Sequence, residues 1–241
     1  MNFIGLIFLV ALFVLIPRGA LRTARLLRQM IEAGVAIPKR RIVLSAMFSM
    51  SVLWALAALN ASAMGRALFS FAGAGPRDLL VGVAGLALLL AAIPMSRAGQ
   101  SPDDERRSVV YRVAPQGPRD LAMFTVLALM AGVAEEAAYR GVAVWILAPV
   151  FGNALPAILL SAAAFAVAHA VQGGRAIAIV FAIALLFHAL VQITGTLVIA
   201  MAVHAAYDIV AGVAAGRRAR TLLARDAAPV REASHEGGAA G

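Results

Sequence analysis

Apolar residues in this chain come in blocks about as long as a lipid bilayer is thick, and that spacing limits the fold more than any single motif does. The blocks run over about Asn2–Pro17, Ile42–Met64, Leu79–Met95, Leu121–Phe151, Ala154–Val171, Ala176–Thr194 and Thr196–Gly216. At 1.5 Å of helical rise per residue, blocks of this size cross a hydrocarbon core about 30 Å thick. Composition agrees: 62% of the 241 residues are hydrophobic and 14% charged, against about 45–50% and about 25% in a soluble domain. The expected fold class is therefore all-α, a polytopic transmembrane helix bundle of about seven helices. Leu121–Phe151 is too long for one perpendicular span, so it is expected to tilt, bend or continue as a second short helix, which would make eight.

Basic residues between the blocks set the expected orientation, because short loops rich in Lys and Arg stay cytoplasmic. The loop after the first block carries Arg18, Arg22, Arg25, Arg28, Lys39, Arg40 and Arg41 against Glu32 alone. Arg97, Arg106, Arg107, Arg112 and Arg119 lie between the third and fourth blocks, and Arg217, Arg218 and Arg220 follow the last. Seven spans place all three segments, and the C-terminus, in the cytoplasm. The net charge of +9 is then a consequence of topology, and no nucleic-acid partner is expected.

The positive charges follow the first apolar core instead of preceding it, so that span is expected to be retained and not cleaved as a signal peptide. Ala20, Ala24, Leu27 and Ile31 lie roughly opposite the arginines at 18, 22 and 25, the pattern of a short interfacial helix. With no cysteine, disulfides and thiolate chemistry are excluded. The chain divides into N-terminal transmembrane helices with a basic linker (1–95), a Pro-containing cytoplasmic loop (96–120), a second helix bundle (121–216) and a basic tail expected to be disordered (217–241), in which His235 has no assigned role.

Acids and histidines inside the blocks are confined to the second bundle: Glu135, Glu136 and Arg140 in the fourth block, His169 in the fifth, His188 in the sixth, His204 and Asp208 in the seventh. An ionised Asp or Arg at a helix centre costs roughly 2.5–3.5 kcal/mol on insertion scales, so such groups are functional candidates that must meet each other or line a wet cavity. Residues four apart share a helix face, so Glu136 reaches Arg140 while Glu135 is turned by about 100° onto the face of Tyr139. That spacing leaves Glu135 as the chemically available carboxylate. His169, His204 and Asp208 fall at depths from which all could surround one point, where a carboxylate and a histidine sharing a water make a general base. His188 has no partner four residues away and is expected to make a helix-to-helix hydrogen bond. Gly212 and Gly216 form a small-residue face suited to close packing.

"EEAAYR" (135–140), "FAVAH" (165–169) and "HAAYD" (204–208) resemble, in order, the EExxxR, FxxxH and HxxxN/D motifs of the CPBP family, the CAAX protease and bacteriocin-processing enzymes also called Abi proteins. The similarity runs over about Leu121–Gly216. It implies a CAAX prenyl protease 2-like intramembrane endopeptidase in which Glu135 and His169 activate the hydrolytic water, His204 and Asp208 bind the oxyanion or complete the site, and Glu136 and Arg140 support it. The last motif ends in Asp208 where Asn is common. An aspartate stabilises an oxyanion only when protonated, so Asp208 alternatively orients His204 or touches a metal.

The family is frequently labelled metalloprotease, and Glu135, His169 and His204 would be the ligands of a zinc ion if one were bound. No HExxH occurs, so a metal-free glutamate mechanism is preferred. The implied partners are the lipid bilayer and a membrane-embedded or lipid-modified protein or peptide substrate; the implied location is a bacterial plasma membrane. Two other readings of the cluster stand beside this one: a proton-coupled transporter, and a non-catalytic immunity or assembly protein whose buried charges only fix helix packing.

Overall fold

A computed structural model describes residues 3–71, 74–97 and 99–227. Among them every regular element is helical. Helix α1 (Phe3–Glu32) runs without a break from the apolar first block into the basic segment. Pro17 sits inside it, where a proline ring clashes with the preceding turn and lacks an N–H. The chain accommodates Pro17 by widening the turn before it into a π-helix over Ala11–Leu15, with the Ile16 N–H reaching back to the Ala11 carbonyl. In the following stretch Leu27 is buried and Ala20, Ala24 and Ile31 are half-buried, while Arg18, Arg22, Arg25 and Arg28 are exposed. The amphipathic segment is thus the second half of α1, not a separate helix.

Helices α2 (Lys39–Ala63) and α3 (Pro76–Arg97) complete the first half. Two short helices, α4 (Pro102–Arg107) and α5 (Val109–Val113), cap the bundle between halves; α4 starts at a capping box in which Ser101 and Asp104 satisfy each other's backbone N–H. Hydrogen bonds from Ser101 hold the Asp104 carboxyl below its ordinary range.

Helix α6 (Pro118–Phe151) is the long fourth block. Its 34 residues extend about 51 Å, well beyond a bilayer core, and contain a second π-turn at Glu136–Val142. The chain reverses at Gly152, whose φ of 66° suits glycine, and Asn153 caps α7 (Ala154–Ala168) through its side chain. A 3₁₀ turn (Ala170–Gln172) leads into α8 (Gly174–Thr194), and Gly195, at φ 69°, turns the chain into α9 (Leu197–Ala227). Among the described residues six helices are long and apolar enough to cross a membrane. The fifth block, expected to reach Val171, forms only the 15-residue α7, about 22 Å long. Residues 217–227, expected in a disordered tail, continue α9 instead; 228–241, including His235, lie outside the described residues.

The core is built on α6. Ala134, Ala137, Ala138, Tyr139, Val142 and Ala143 are buried against Ala162 and Phe165 of α7, Ala184 of α8, and Leu197 and Met201 of α9. Small side chains let backbones approach, which is what associates helices in lipid. At the α6–α9 crossing a Cβ on Gly132 would lie 2.8 Å from the Met201 carbonyl oxygen. Gly212 accommodates the Phe124 ring and Gly216 the Pro115 carbonyl, so these two glycines do serve close packing.

Three contacts gather the basic segments at one end. Lys39 pairs with Asp120 at 2.6 Å, Arg218 with Glu105 at 2.7 Å, and Arg220 donates to the Gln116 carbonyl. The C-terminal half of α1 packs on the 170–172 turn, which also touches α5. At the opposite end Thr196 donates to the Ser70 carbonyl and Arg66 lies over the Trp145 ring.

Candidate active site

The π-turn of α6 carries the two glutamates. Ala143 bonds to the Ala138 carbonyl five residues back, and every residue from Glu136 to Val142 is buried. A widened turn frees backbone groups that ordinary helix would pair, and such turns gather at functional sites. The Ser161 hydroxyl of α7 donates to the Tyr139 carbonyl at 2.7 Å, which fastens the turn to its neighbour.

Glu136 is fully buried. Its Oε1 lies 3.1 Å from Arg140 Nη1 and 2.7 Å from His204 Nδ1. An ionised carboxylate only accepts, so the short contact assigns the proton to Nδ1 of His204. The other ring nitrogen, Nε2, then faces Glu135 Oε2 at 3.6 Å and Asp208 Oδ2 at 3.5 Å. Both distances are longer than an ordinary hydrogen bond. The Phe187 ring stacks on His204 at 5.0 Å and limits its rotation.

His169 caps the C-terminal end of α7. Its Nδ1 lies 2.8 Å from the Phe165 carbonyl, which only accepts, so Nδ1 carries the proton and Nε2 the lone pair. His169 and Glu135 interact electrostatically. Phe165 is the hub beneath them: its ring meets Tyr139 edge-on at 5.0 Å, His169 at 4.4 Å and His204 at 6.2 Å, and Arg140 lies over it at 4.2 Å. His169 stands where α7 gives way to the 170–172 turn.

Side-chain exposure rises from 0% at Glu136 to 6% at His204, 11% at Glu135 and 31% at Asp208. The cluster therefore opens toward Asp208, one turn from His204 in the direction of the basic end. The structure brings Glu135, Glu136, Arg140, His204 and Asp208 together, joins His169 to them through Phe165, and leaves the buried Nε2 of His188, on α8, without a hydrogen bond to any of them. Sequence reasoning missed Ser161 and Phe187, which read as ordinary residues of apolar helices and carry no motif.

Among the described residues no three His, Cys, Asp or Glu are arranged to hold a metal ion. Glu136 and the Phe165 carbonyl engage Nδ1 of His204 and of His169, which orients the two rings.

Fold and cluster together define a multi-pass helical membrane protein with carboxylates and histidines meeting inside its bundle. Residues 117–210 match the model of the Rce1-like family, described as type II CAAX prenyl endopeptidase Rce1-like. The matched segment contains every residue of the cluster. No curated protein and no solved structure matches the chain.

Proposed function

We propose that the protein is an intramembrane endopeptidase that hydrolyses a peptide bond in a membrane-embedded or lipid-modified protein, with Glu135 and His169 activating the water. The observation that carries this reading is His204, held by Glu136 at 2.7 Å while its other nitrogen faces Glu135 and Asp208. One glutamate is committed to orientation; its neighbour is left for chemistry.

In this mechanism Glu135 takes the proton of a water that also hydrogen-bonds His169 Nε2. The hydroxide adds to the scissile carbonyl. His204, as imidazolium, donates from Nε2 to the oxyanion while Nδ1 stays on Glu136, and Asp208 holds the ring from the open side. Glu135 then returns the proton to the leaving amine. Arg140 balances the charge of Glu136, so breaking that pair is expected to be structural before it is chemical.

Convergence of Arg18–Arg41, Arg97–Arg119 and Arg217–Arg220 on one end supports a cytoplasmic placement of that end. The site opens in the same direction, so the substrate enters from the cytoplasmic half of the bilayer. Comparing termini in membranes holding wild-type protein and Glu135→Gln tests the proposal. Peptide termini present with wild type and lost with the variant, at equal protein levels, are expected; identical termini in both would end it.

A further inference from the structure

His188 has no part in the mechanism above, yet it is 3% exposed and its Nε2 has no hydrogen-bond partner among the described residues. Nor is it alone. Glu136 Oε2 and Arg140 Nε, Nη1 and Nη2 are also buried without a hydrogen bond. The 3.1 Å approach of Arg140 Nη1 to Glu136 Oε1 is an ion pair whose N–H direction misses the carboxylate. Phe165 and Phe187, 4.2 and 5.2 Å from the guanidinium carbon, cover Arg140 without offering its N–H groups a conventional acceptor.

These atoms belong to one region. His188 lies one turn from Ala184 and two from Phe181 on the face of α8 that packs into the core with Ala138, Tyr139 and Val142 of the π-turn. The π-turn that carries Glu136 and Arg140 packs against α8, and the ring of Phe187, next to His188 in sequence, lies 5.2 Å from the Arg140 guanidinium carbon. Unpaired polar groups are costly inside a protein and more so within a bilayer, and polar groups separated by more than a hydrogen bond are commonly bridged by water. A ring nitrogen, a carboxylate oxygen and several guanidinium donors supply the two to four polar partners that a buried water requires.

We infer that Glu136, Arg140 and His188 enclose a buried hydration site, in which one or a few waters link the imidazole of α8 to the Glu136–Arg140 pair of α6. His188 is thereby a positioning residue: it fixes Arg140, Arg140 fixes Glu136, and Glu136 holds Nδ1 of His204. The hydration site stands on burial and unmet hydrogen bonds alone; only its effect on rate rests on the proposed peptidase reading.

Radiolytic footprinting of the purified full-length protein in ¹⁸O-labelled water tests it, because bound water oxidises the side chains it touches. In wild type the His188 ring is expected to acquire label well above Phe8, which is enclosed in the apolar core. An unlabelled His188 would overturn the hydration site whatever the enzyme activity. His188→Phe is expected to remove label from Phe187 and to lower kcat about tenfold to a hundredfold with little change in KM, as misplacement of a distant group does. His188→Gln, which keeps a polar end, is expected to restore both. Unchanged label and kcat in a folded His188→Phe would overturn the assignment of His188. Should His188→Phe fail to fold, the wild-type labelling alone decides.

Discussion

Helices before residue 100 and helices after 118 are made of similarly apolar sequence, yet they stand in different surroundings. In each of α1, α2 and α3, 17% of the most apolar stretch is buried within the protein, against 44% in α6 and α9. The first half shows Phe48, Leu80 and Val83 to the outside at 65–71% exposure; the second packs Ala, Gly and the ionisable cluster inward. Lipid tails are as apolar as leucine, so hydrophobicity cannot distinguish a helix facing lipid from one facing protein. Small residues and buried charge make that distinction here. The first half is a lipid-facing wall, and the second builds the chamber.

Polar substitution should break the comparison most visibly in activity. Glu135→Gln keeps the shape of the side chain and is expected to lower the cleavage rate by about 10²–10⁴-fold, the range lost with a general base, while the protein still accumulates in the membrane. His169→Ala should behave alike. Among the described residues of the first half the buried polar residue is Asn60, whose side chain donates to the Leu56 carbonyl of its own helix. Asn60→Leu is expected to leave the rate within about twofold of wild type. Rates of the purified variants on one substrate decide it; a large loss in Asn60→Leu would mean that the wall takes part in the chemistry.

The same contrast extends to stability. Arg140→Leu removes the guanidinium from the fully buried Glu136–Arg140 pair, at an expected cost of about 3–5 kcal/mol. Arg66 also meets an aromatic ring, lying 5.1 Å over Trp145, but it is exposed, and Arg66→Leu should cost no more than about 0.5–1 kcal/mol. Thermal unfolding in detergent should separate the two variants clearly. Equal melting temperatures would show that the Glu136–Arg140 pair contributes nothing to holding the bundle.

Much of this division is legible in the sequence, and what is not has physical reasons. Block length announced the helices, and the confinement of acids and histidines to the second half announced where a chamber had to form. Glu136 and His204 are 68 residues apart, and nothing local encodes which helix faces which. The π-turn at 136–142 lies in a stretch with no proline to betray it, unlike the turn ahead of Pro17. The bond from Ala143 to the Ala138 carbonyl, five residues back, reveals it, and a serine from α7 fastens it. Residues 217–227 read as a charged tail because the partner of Arg218, Glu105, sits in the short helix α4 more than 100 residues earlier.

Glycine-to-alanine changes sharpen the comparison at its smallest scale, because the added atom is identical and only the surroundings differ. On α6 the new Cβ of Gly132→Ala would meet backbone, 2.8 Å from the Met201 carbonyl oxygen and 3.0 Å from the Ala205 nitrogen. Backbone in a packed helix moves only by separating α6 from α9, the two helices that carry Glu135 and His204, so a cost of about 1–3 kcal/mol and a fall in rate are expected together. On α3 the Cβ of Gly82→Ala would meet a methyl of Ile199 at 2.8 Å and one of Val203 at 3.5 Å. Those are side-chain methyls and not backbone, and alanine's better helix propensity offsets part of the strain. Its expected cost is below about 1 kcal/mol with the rate unchanged. The paired measurement is melting temperature and kcat for each variant. If Gly82→Ala lost as much of both as Gly132→Ala, α3 would have to be counted as part of the chamber and not as its wall.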